Sequence, residues 1–216
     1  QGVQLAEQVD RRLIQQPAMS AVLADLAVES EAATALAMRL AQAYDENDGI
    51  ARLLTPIAKY WVCKRAPGFV YEAMECHGGG GYIESGPMPR LFRQSPLNAI
   101  WEGSGNVIAL DVMRALSRDP ESVDALRGFL DGQRGRHAAY DGWVDAIDFG
   151  ITSQAQARLL VEQLALAAQA AVLIARDSPM AEPFCRLRLE RRGSAYGAFD
   201  ATIDTVGIIE RAMPQS

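Results

Sequence analysis

The chain contains 216 residues, 49% hydrophobic and 22% charged, which suits one large globular domain or two small ones. Its formal net charge of −6 argues against nucleic acid as a generic partner, although a local basic patch would not show in this average. Three cysteines without CxxC spacing argue against a disulfide framework or a zinc site. We therefore expect a reducing, cytoplasmic environment and no bound metal.

The first half of the chain shows helical periodicity. Apolar residues recur at helical spacing over residues 19–44, which predicts a long amphipathic helix. A second helix is predicted over residues 49–76, with a bend at Pro67. Residues 82–98 carry three prolines and are predicted to be an irregular loop. A third helix is predicted to begin shortly after residue 103.

The periodic pattern breaks at the segment "SRDPES", residues 117–122, where we place a domain boundary. The predicted domains are a helical bundle over residues 13–116 and a smaller helical extension over residues 117–216. No segment alternates as a β-strand does, so the predicted fold class is all-α. The longest apolar run is shorter than the roughly 20 residues that cross a bilayer, so we expect no membrane partner. Further helices are predicted over residues 120–133, 152–176, 180–192 and 199–213.

Two features of the first half indicate chemistry. The segment "ECHGGGGY", which ends at Tyr82, sets four glycines in a row after the second predicted helix. This run is either an elongated helix cap or backbone that packs closely against a ligand. Glu102, between Trp101 and Gly103, is either an acid favoured by a helix dipole or a partly desolvated acid or base. The residues alone leave both pairs of alternatives open.

Together these features resemble the C-terminal helical domain of the FAD-dependent acyl-CoA dehydrogenases over residues 13–116. That family carries a "GGxGY" segment, then an arginine, then an isoleucine–aromatic–"EGT" segment. Trp101 and the "GSGN" after Glu102 resemble one branch, the bacterial adaptive-response (alkylation-protection) type, and residues 178–193 resemble its C-terminal extension. The matching residues are Gly78, Gly79, Gly81, Tyr82, Arg93, Ile100, Trp101, Glu102, Gly103 and Ser104.

The resemblance implies a site and its partners. In the family the glycine-rich segment lies against the pyrophosphate and adenosine end of FAD, commonly the FAD of a neighbouring subunit, so a homo-oligomer (tetramer or dimer) is implied. The family's "EGT" glutamate removes the α-proton of an acyl-CoA substrate while the β-hydride goes to the flavin. Glu102 matches this base, and Trp101 would form its apolar wall. The residues implied to contact FAD are Gly78, Gly79, Gly81, Tyr82, Arg93, Trp101, Ser104 and Asn106.

The chain differs from the family in three respects. The family begins this domain with "RxxFG", whose arginine helps to hold the FAD phosphates, whereas Ala6, Val9 and Asp10 stand in the matching stretch here, so that FAD contact is not expected unless these first residues are foreign to the protein. An acid usually follows the arginine matched by Arg93, whereas Gln94 follows it here, which would loosen a local ion pair. The family's N-terminal helical domain and middle β-domain, which cover the flavin and bind CoA, have no counterpart in this sequence. We therefore expect these residues to be the C-terminal part of a longer protein that needs its other domains, and we expect no dehydrogenation by this part alone.

An arginine cluster in the extension has two interpretations. In the branch that the chain resembles, the extension is associated with binding double-stranded DNA, and guanidinium groups suit phosphates. Nearby glutamates would instead make the cluster a solvated face. Three function classes remain: an acyl-CoA flavoenzyme, a DNA-associated alkylation-response flavoprotein with weak or no turnover, and an inactive helical scaffold. The cluster consists of Arg186, Arg188, Arg191 and Arg192.

Overall fold

The structure is a computed structural model that describes residues 13–190, 193–200 and 202–213. Over these ranges it contains ten α-helices and no β-strand, which confirms the all-α prediction. Short 3₁₀ segments cover Leu13–Gln15, Ser95–Ala99 and Gln154–Gln156. The helices are α1 (Pro17–Asp45), α2 (Ala51–Glu75), α3 (Gly79–Tyr82), α4 (Met88–Gln94), α5 (Gly105–Arg118), α6 (Pro120–Asp131), α7 (Ala138–Asp145), α8 (Ala157–Ala175), α9 (Ala181–Phe184) and α10 (Thr205–Ala212).

The three helices predicted in the first half are confirmed as α1, α2 and α5. Pro17 is the first residue of α1, where its missing N–H costs no hydrogen bond. α2 continues through Pro56 and Pro67, although an interior proline costs about 3 kcal/mol or more. Burial of one apolar face of α2, which includes Leu53 and Ile57, offsets this cost.

The observed secondary structure differs from the predicted one in four details. Residues 82–98 are largely helical rather than a loop, because Pro89 lies in the first turn of α4 and so begins a helix instead of breaking one. The short helix α7 has no sequence prediction. The helix predicted over 180–192 is α9 followed by a π-helical turn, Cys185–Leu189, and residues 191 and 192 lie outside the described ranges. The last helix begins at Thr205 rather than at residue 199.

One hydrophobic core joins the long helices. α1 and α5 each pack against both α2 and α8, α2 also packs against α8, and the core includes side chains of all four. α8 lies beyond the break at residues 117–122, so the core extends across the predicted boundary. The division into domains of residues 13–116 and 117–216 remains a prediction.

The apolar segment that contains α8 occupies the centre of this core. Gln154–Ala175 is long and apolar enough to cross a membrane by length and composition alone, but 78% of its apolar window is buried inside the protein. Leu160 and Leu164 are fully buried among the other helices. Every residue from Leu164 to Ile174 is buried, as the central helix of a bundle requires, whereas Arg158 and Glu162 in the first turns of α8 are exposed.

A buried network of charges joins the extension to α1 and α2. Arg188 Nη2 lies 2.6 Å from Asp25 Oδ1 and 2.7 Å from Glu29 Oε2. Arg65 Nε donates to Glu29 Oε1 at 2.9 Å, and Arg65 Nη2 donates to the Tyr196 hydroxyl at 2.9 Å. Burial by itself would raise the pKa of Glu29, but the hydrogen bonds and charges of Arg65 and Arg188 outweigh burial and lower it. We name these five residues the buried ion network.

Candidate functional site

The loop that carries Glu102 has an unusual backbone. Glu102 has a φ of 53° and Gly103 a φ of 114°, so two consecutive residues lie at positive φ. A non-glycine residue there is strained, and such strain persists only where surrounding contacts hold it. The amides of Ile100 and Trp101 both donate to the Leu97 carbonyl before this turn, at 2.9 Å and 3.1 Å. α5 begins directly after it.

Lys59 of α2 binds the loop on both sides of Glu102. Its Nζ donates to the Trp101 carbonyl at 3.0 Å and to the Gly103 carbonyl at 2.7 Å. Within the described residues these two carbonyls have no other hydrogen-bond donor. Lys59 was absent from the sequence prediction, since nothing near it in the chain resembles a site.

A cavity of about 430 Å³ opens beside Glu102. Glu102 is exposed and its carboxylate forms no hydrogen bond or ion pair with the described residues, while the neighbouring Trp101 is 55% exposed. The apolar shield expected from Trp101 is therefore incomplete in this part of the protein. The lining residues mix apolar and charged side chains: Tyr44, Arg52, Thr55, Pro56, Lys59, Glu102, Gly103, Val107, Ile108, Asp111 and Arg114.

The four glycines fall into two kinds. A Cβ at Gly79 or Gly80 would meet nothing within 4 Å, so the chain itself does not require glycine at these positions. A Cβ at Gly81 would collide with the Met74 carbonyl oxygen, which means that internal packing requires this glycine. Gly78 has a φ of 56°, which favours glycine for conformational reasons. The capping interpretation therefore accounts for Gly78 and Gly81, whereas Gly79 and Gly80 leave open backbone at the surface.

Exposed side chains continue from the glycines. Tyr82 is 77% exposed at the end of α3. Arg93 donates two hydrogen bonds to Glu84, at 2.6 Å and 3.1 Å, and the bonds lower the pKa of the Glu84 carboxyl. Glu84 thus supplies an acid for Arg93, so the ion pair that Gln94 was expected to weaken is formed nine residues upstream instead. The sequence analysis considered only the residue that follows Arg93 and so could not find this partner.

Positive charge gathers at the N-terminus of α5. Ser104 is the N-cap residue, and its side chain forms no capping hydrogen bond. A Cβ at Gly105 would lie 3.0 Å from Lys64 Nζ and 3.3 Å from Arg158 Nη2, which places both cations against the first turn of α5. Asn106 is the second residue of the same turn. Helix N–H groups and two cations together favour an anion. The sequence indicated Ser104 and Asn106 but not the two cations, because their positions bear no family motif.

The arginine cluster does not form a basic face among the described residues. Arg188 is only 6% exposed and pairs with Asp25 and Glu29, so its burial contradicts the predicted contact with DNA phosphate in this fold. Arg186 bonds to Thr202 and lies 3.3 Å from Asp200, which neutralises part of its charge. Arg191 and Arg192 lie outside the described residues.

The side chains that could bind a metal are dispersed over the same ranges. No group of three or more His, Cys, Asp or Glu side chains gathers within residues 13–190, 193–200 and 202–213. His137 has a structural role, since its Nδ1 accepts the Ala139 amide at the start of α7 and its Nε2 lies 2.7 Å from Glu182. The expected absence of a metal remains an expectation for the whole protein.

Comparisons with known proteins agree with the motif. Residues 3–117 match the family described as "Acyl-CoA dehydrogenase, C-terminal domain". The chain is 40% identical over 189 residues to AidB of Escherichia coli (strain K12), whose name assigns it to the acyl-CoA dehydrogenases, with 84% of this chain and 35% of AidB covered. It is 29% identical over 110 residues to cyclohexane-1-carbonyl-CoA dehydrogenase of Geobacter metallireducens, with 51% and 27% covered. The solved structure of Caenorhabditis elegans ACDH-11 in complex with C11-CoA has a TM-score of 0.65 at 26% identity, with 82% and 36% covered.

The chain belongs to the acyl-CoA dehydrogenase family, as its motifs predicted. Members of this family are FAD flavoproteins. The match to AidB is longer than residues 3–117 and so includes part of the extension. The chain spans about a third of the length of AidB, 35%, and corresponds to the C-terminal domain of the family.

Proposed function

We propose that this chain is the helical C-terminal part of an FAD-dependent dehydrogenase in which Glu102 removes the α-proton of an acyl-CoA thioester. The observation that carries the proposal is the position of Glu102, a carboxylate held on a strained turn at a cavity of about 430 Å³. Strained backbone of this kind is concentrated at functional sites. The names of the relatives, which refer to acyl-CoA dehydrogenases, supply the reaction class.

The chemistry needs a carboxylate without competing partners. The α-proton of a thioester is a weak acid, so its removal requires a base that faces the substrate and is shielded from water. Glu102 has no partner among the described residues and is free to face a substrate. FAD, when bound, accepts the hydride that leaves the β-carbon. The remaining domains of the protein would complete the water-excluding cover that Trp101 provides only in part.

The residues present fit one part of FAD. Gly79 and Gly80 offer open backbone against which a flat or phosphorylated group can pack closely. The uncapped start of α5, with Ser104 and Asn106 beside Lys64 and Arg158, suits a pyrophosphate. Tyr82 and Trp101 are exposed on the same segment of chain, and Arg93 is exposed there as well, although it pairs with Glu84. In a homo-oligomer of the full-length protein, one copy of this surface would contact the FAD of a neighbouring subunit.

Substitution of Glu102 tests the proposal in the full-length flavoprotein. Glu102→Gln removes the base at nearly constant shape, so FAD content should stay near normal while turnover falls at least about 100-fold, the usual scale for a general base. Flavin absorbance near 450 nm measures both FAD content and its reduction by a panel of saturated acyl-CoAs. Glu121→Gln, on the exposed first turn of α6, is the matched control and should leave turnover unchanged. Wild-type turnover in Glu102→Gln, or no turnover of any acyl-CoA by the parent, would contradict the proposed base.

Association with double-stranded DNA is not favoured by any observation on the described residues. Arg188 is buried, and Arg186 is engaged by Asp200 and Thr202. An inactive helical scaffold is a separate alternative, and it predicts a colourless full-length protein. Retention of flavin by that protein would exclude the scaffold.

A further inference from the structure

We propose that Lys59 is the positioning residue that holds Glu102 in its reactive conformation. The inference deepens the proposed function and rests on it, because it concerns how the same carboxylate is aimed. It starts from the two hydrogen bonds that Lys59 Nζ donates, 3.0 Å to the Trp101 carbonyl and 2.7 Å to the Gly103 carbonyl. These carbonyls stand immediately before and after Glu102, so a single ammonium group binds the turn at both ends.

The backbone of the turn explains why these two hydrogen bonds are needed. Glu102 and Gly103 both have positive φ, at 53° and 114°, which an L-residue such as Glu102 adopts only under constraint. No other donor among residues 13–190, 193–200 and 202–213 reaches the carbonyls of Trp101 and Gly103. Without Lys59, the turn would lose both of its hydrogen bonds to α2, and the bonds from the Ile100 and Trp101 amides to the Leu97 carbonyl would open more often.

A lysine suits this task because of its geometry. An ammonium group carries three N–H donors at one point, so it can bond to two carbonyls that converge on it. Lys59 also lies on α2, a long helix packed into the core, so the ammonium group is attached to a rigid element. The chain has only one other lysine, Lys64, and that side chain lies at Gly105 rather than at the turn.

Amide hydrogen exchange of the full-length protein tests whether Lys59 holds the turn. Lys59→Met keeps the side-chain length but removes the donors, so exchange of the hydrogen-bonded amides of Ile100 and Trp101 should accelerate at least about tenfold. Lys59→Arg keeps a charge and donors and should restore part of the protection. Arg118→Gln, which removes a cation from the far end of α5, should change nothing in these residues. Unchanged exchange in Lys59→Met would overturn the inference.

Flavin reduction tests whether the two hydrogen bonds of Lys59 act through Glu102. With undecanoyl-CoA or the best acyl-CoA of the panel, Lys59→Met should lower the rate of flavin reduction about 10- to 100-fold, because a small misplacement of a reacting group has effects of this size. Substrate affinity and FAD content should change less than about threefold. Lys59→Arg should recover part of the rate.

A double substitution separates positioning from a general structural effect. In a Glu102→Gln background there is no base to aim, so Lys59→Met should cause no further loss of rate. A further loss as large as that in the wild-type background would mean that Lys59 acts elsewhere, and would overturn the inference. A wild-type rate in Lys59→Met combined with an impaired Glu102→Gln would overturn this inference alone. A wild-type rate in Glu102→Gln would instead contradict the proposed function.

Discussion

The buried ion network and the Glu102 turn place charge under opposite conditions. Arg188 lies inside the protein with two carboxylates at 2.6 Å and 2.7 Å, and one of these carboxylates, Glu29, also pairs with Arg65. Glu102 lies at the surface, without a partner among the described residues, on backbone that is itself constrained. Both regions are charged and both depend on contacts with α1 or α2, but only the second leaves a reactive group available.

The difference shows how to separate structural from functional charge in this chain. A buried charge that is paired with opposite charges is not available to a ligand. The buried ion network therefore contributes by joining the extension to the bundle. An exposed acid held in a strained conformation gains nothing for stability from its exposure or its strain. Substitutions at the first region should therefore alter stability, and substitutions at the second should alter chemistry.

The largest effect is expected from Arg188→Met. Loss of this side chain leaves Asp25 and Glu29 buried with fewer partners, which should lower the free energy of unfolding by about 3–5 kcal/mol. Urea unfolding followed by circular dichroism measures the change. Arg186→Met is the matched control and should cost less than about 1 kcal/mol, because its partner Asp200 is exposed. Equal losses in the two variants would remove the distinction between the buried network and surface charge.

A smaller effect is expected within the glycine run. Gly81→Ala should lower the free energy of unfolding by about 1–3 kcal/mol, because the new methyl group collides with the Met74 carbonyl. Gly79→Ala should stay within about 0.5 kcal/mol of the wild type, since its methyl group meets open space.

In the full-length protein, Gly79→Val should weaken FAD retention without loss of helix content. Normal FAD retention there would mean that Gly79 does not contact FAD.

Relief of strain at Glu102 should have a still smaller and opposite effect. Glu102→Gly removes the side chain that disfavours a φ of 53°, so the free energy of unfolding should rise by up to about 1 kcal/mol. Glu102→Ala keeps a Cβ and should not show this gain. Thermal unfolding of both variants measures the difference. A loss of stability in Glu102→Gly would show that the carboxylate stabilises the fold and would weaken the contrast with the ion network.

The smallest expected effect is the loss of unfolding free energy at acid pH. The pKa of Glu29 is lower in the folded chain than its ordinary value of 4.5, so its contribution to stability is complete above that pH. As the pH falls below about 4.5 towards the folded-state pKa, the unfolded chain takes up the proton first and this contribution is lost. Unfolding free energies at pH 5 and pH 3 should therefore differ more in the wild type than in Glu29→Gln. An identical acid dependence in both would place the sensitive carboxylate elsewhere.

Local sequence patterns determined much of this protein. Helices α1, α2, α5 and α8 were predictable because their apolar residues repeat with the period of the helix, which is a property of neighbouring positions. The family and the base candidate Glu102 were predictable because the motif lies within residues 78–104 and needs no knowledge of the fold. The helical turns over residues 82–98 were missed because proline begins helices as readily as it interrupts them.

Only the tertiary structure decided which charges face inward and which residues meet. Lys59 is separated from the two carbonyls that it binds by 42 and 44 positions, and Arg188 is separated from Asp25 by 163. Helical periodicity specifies which face of each helix is buried but not which residues of different helices become neighbours, because packing of the whole bundle sets those distances. The same packing that buried Arg188 among carboxylates, and so removed it from the surface, brought Lys59 to the turn of Glu102.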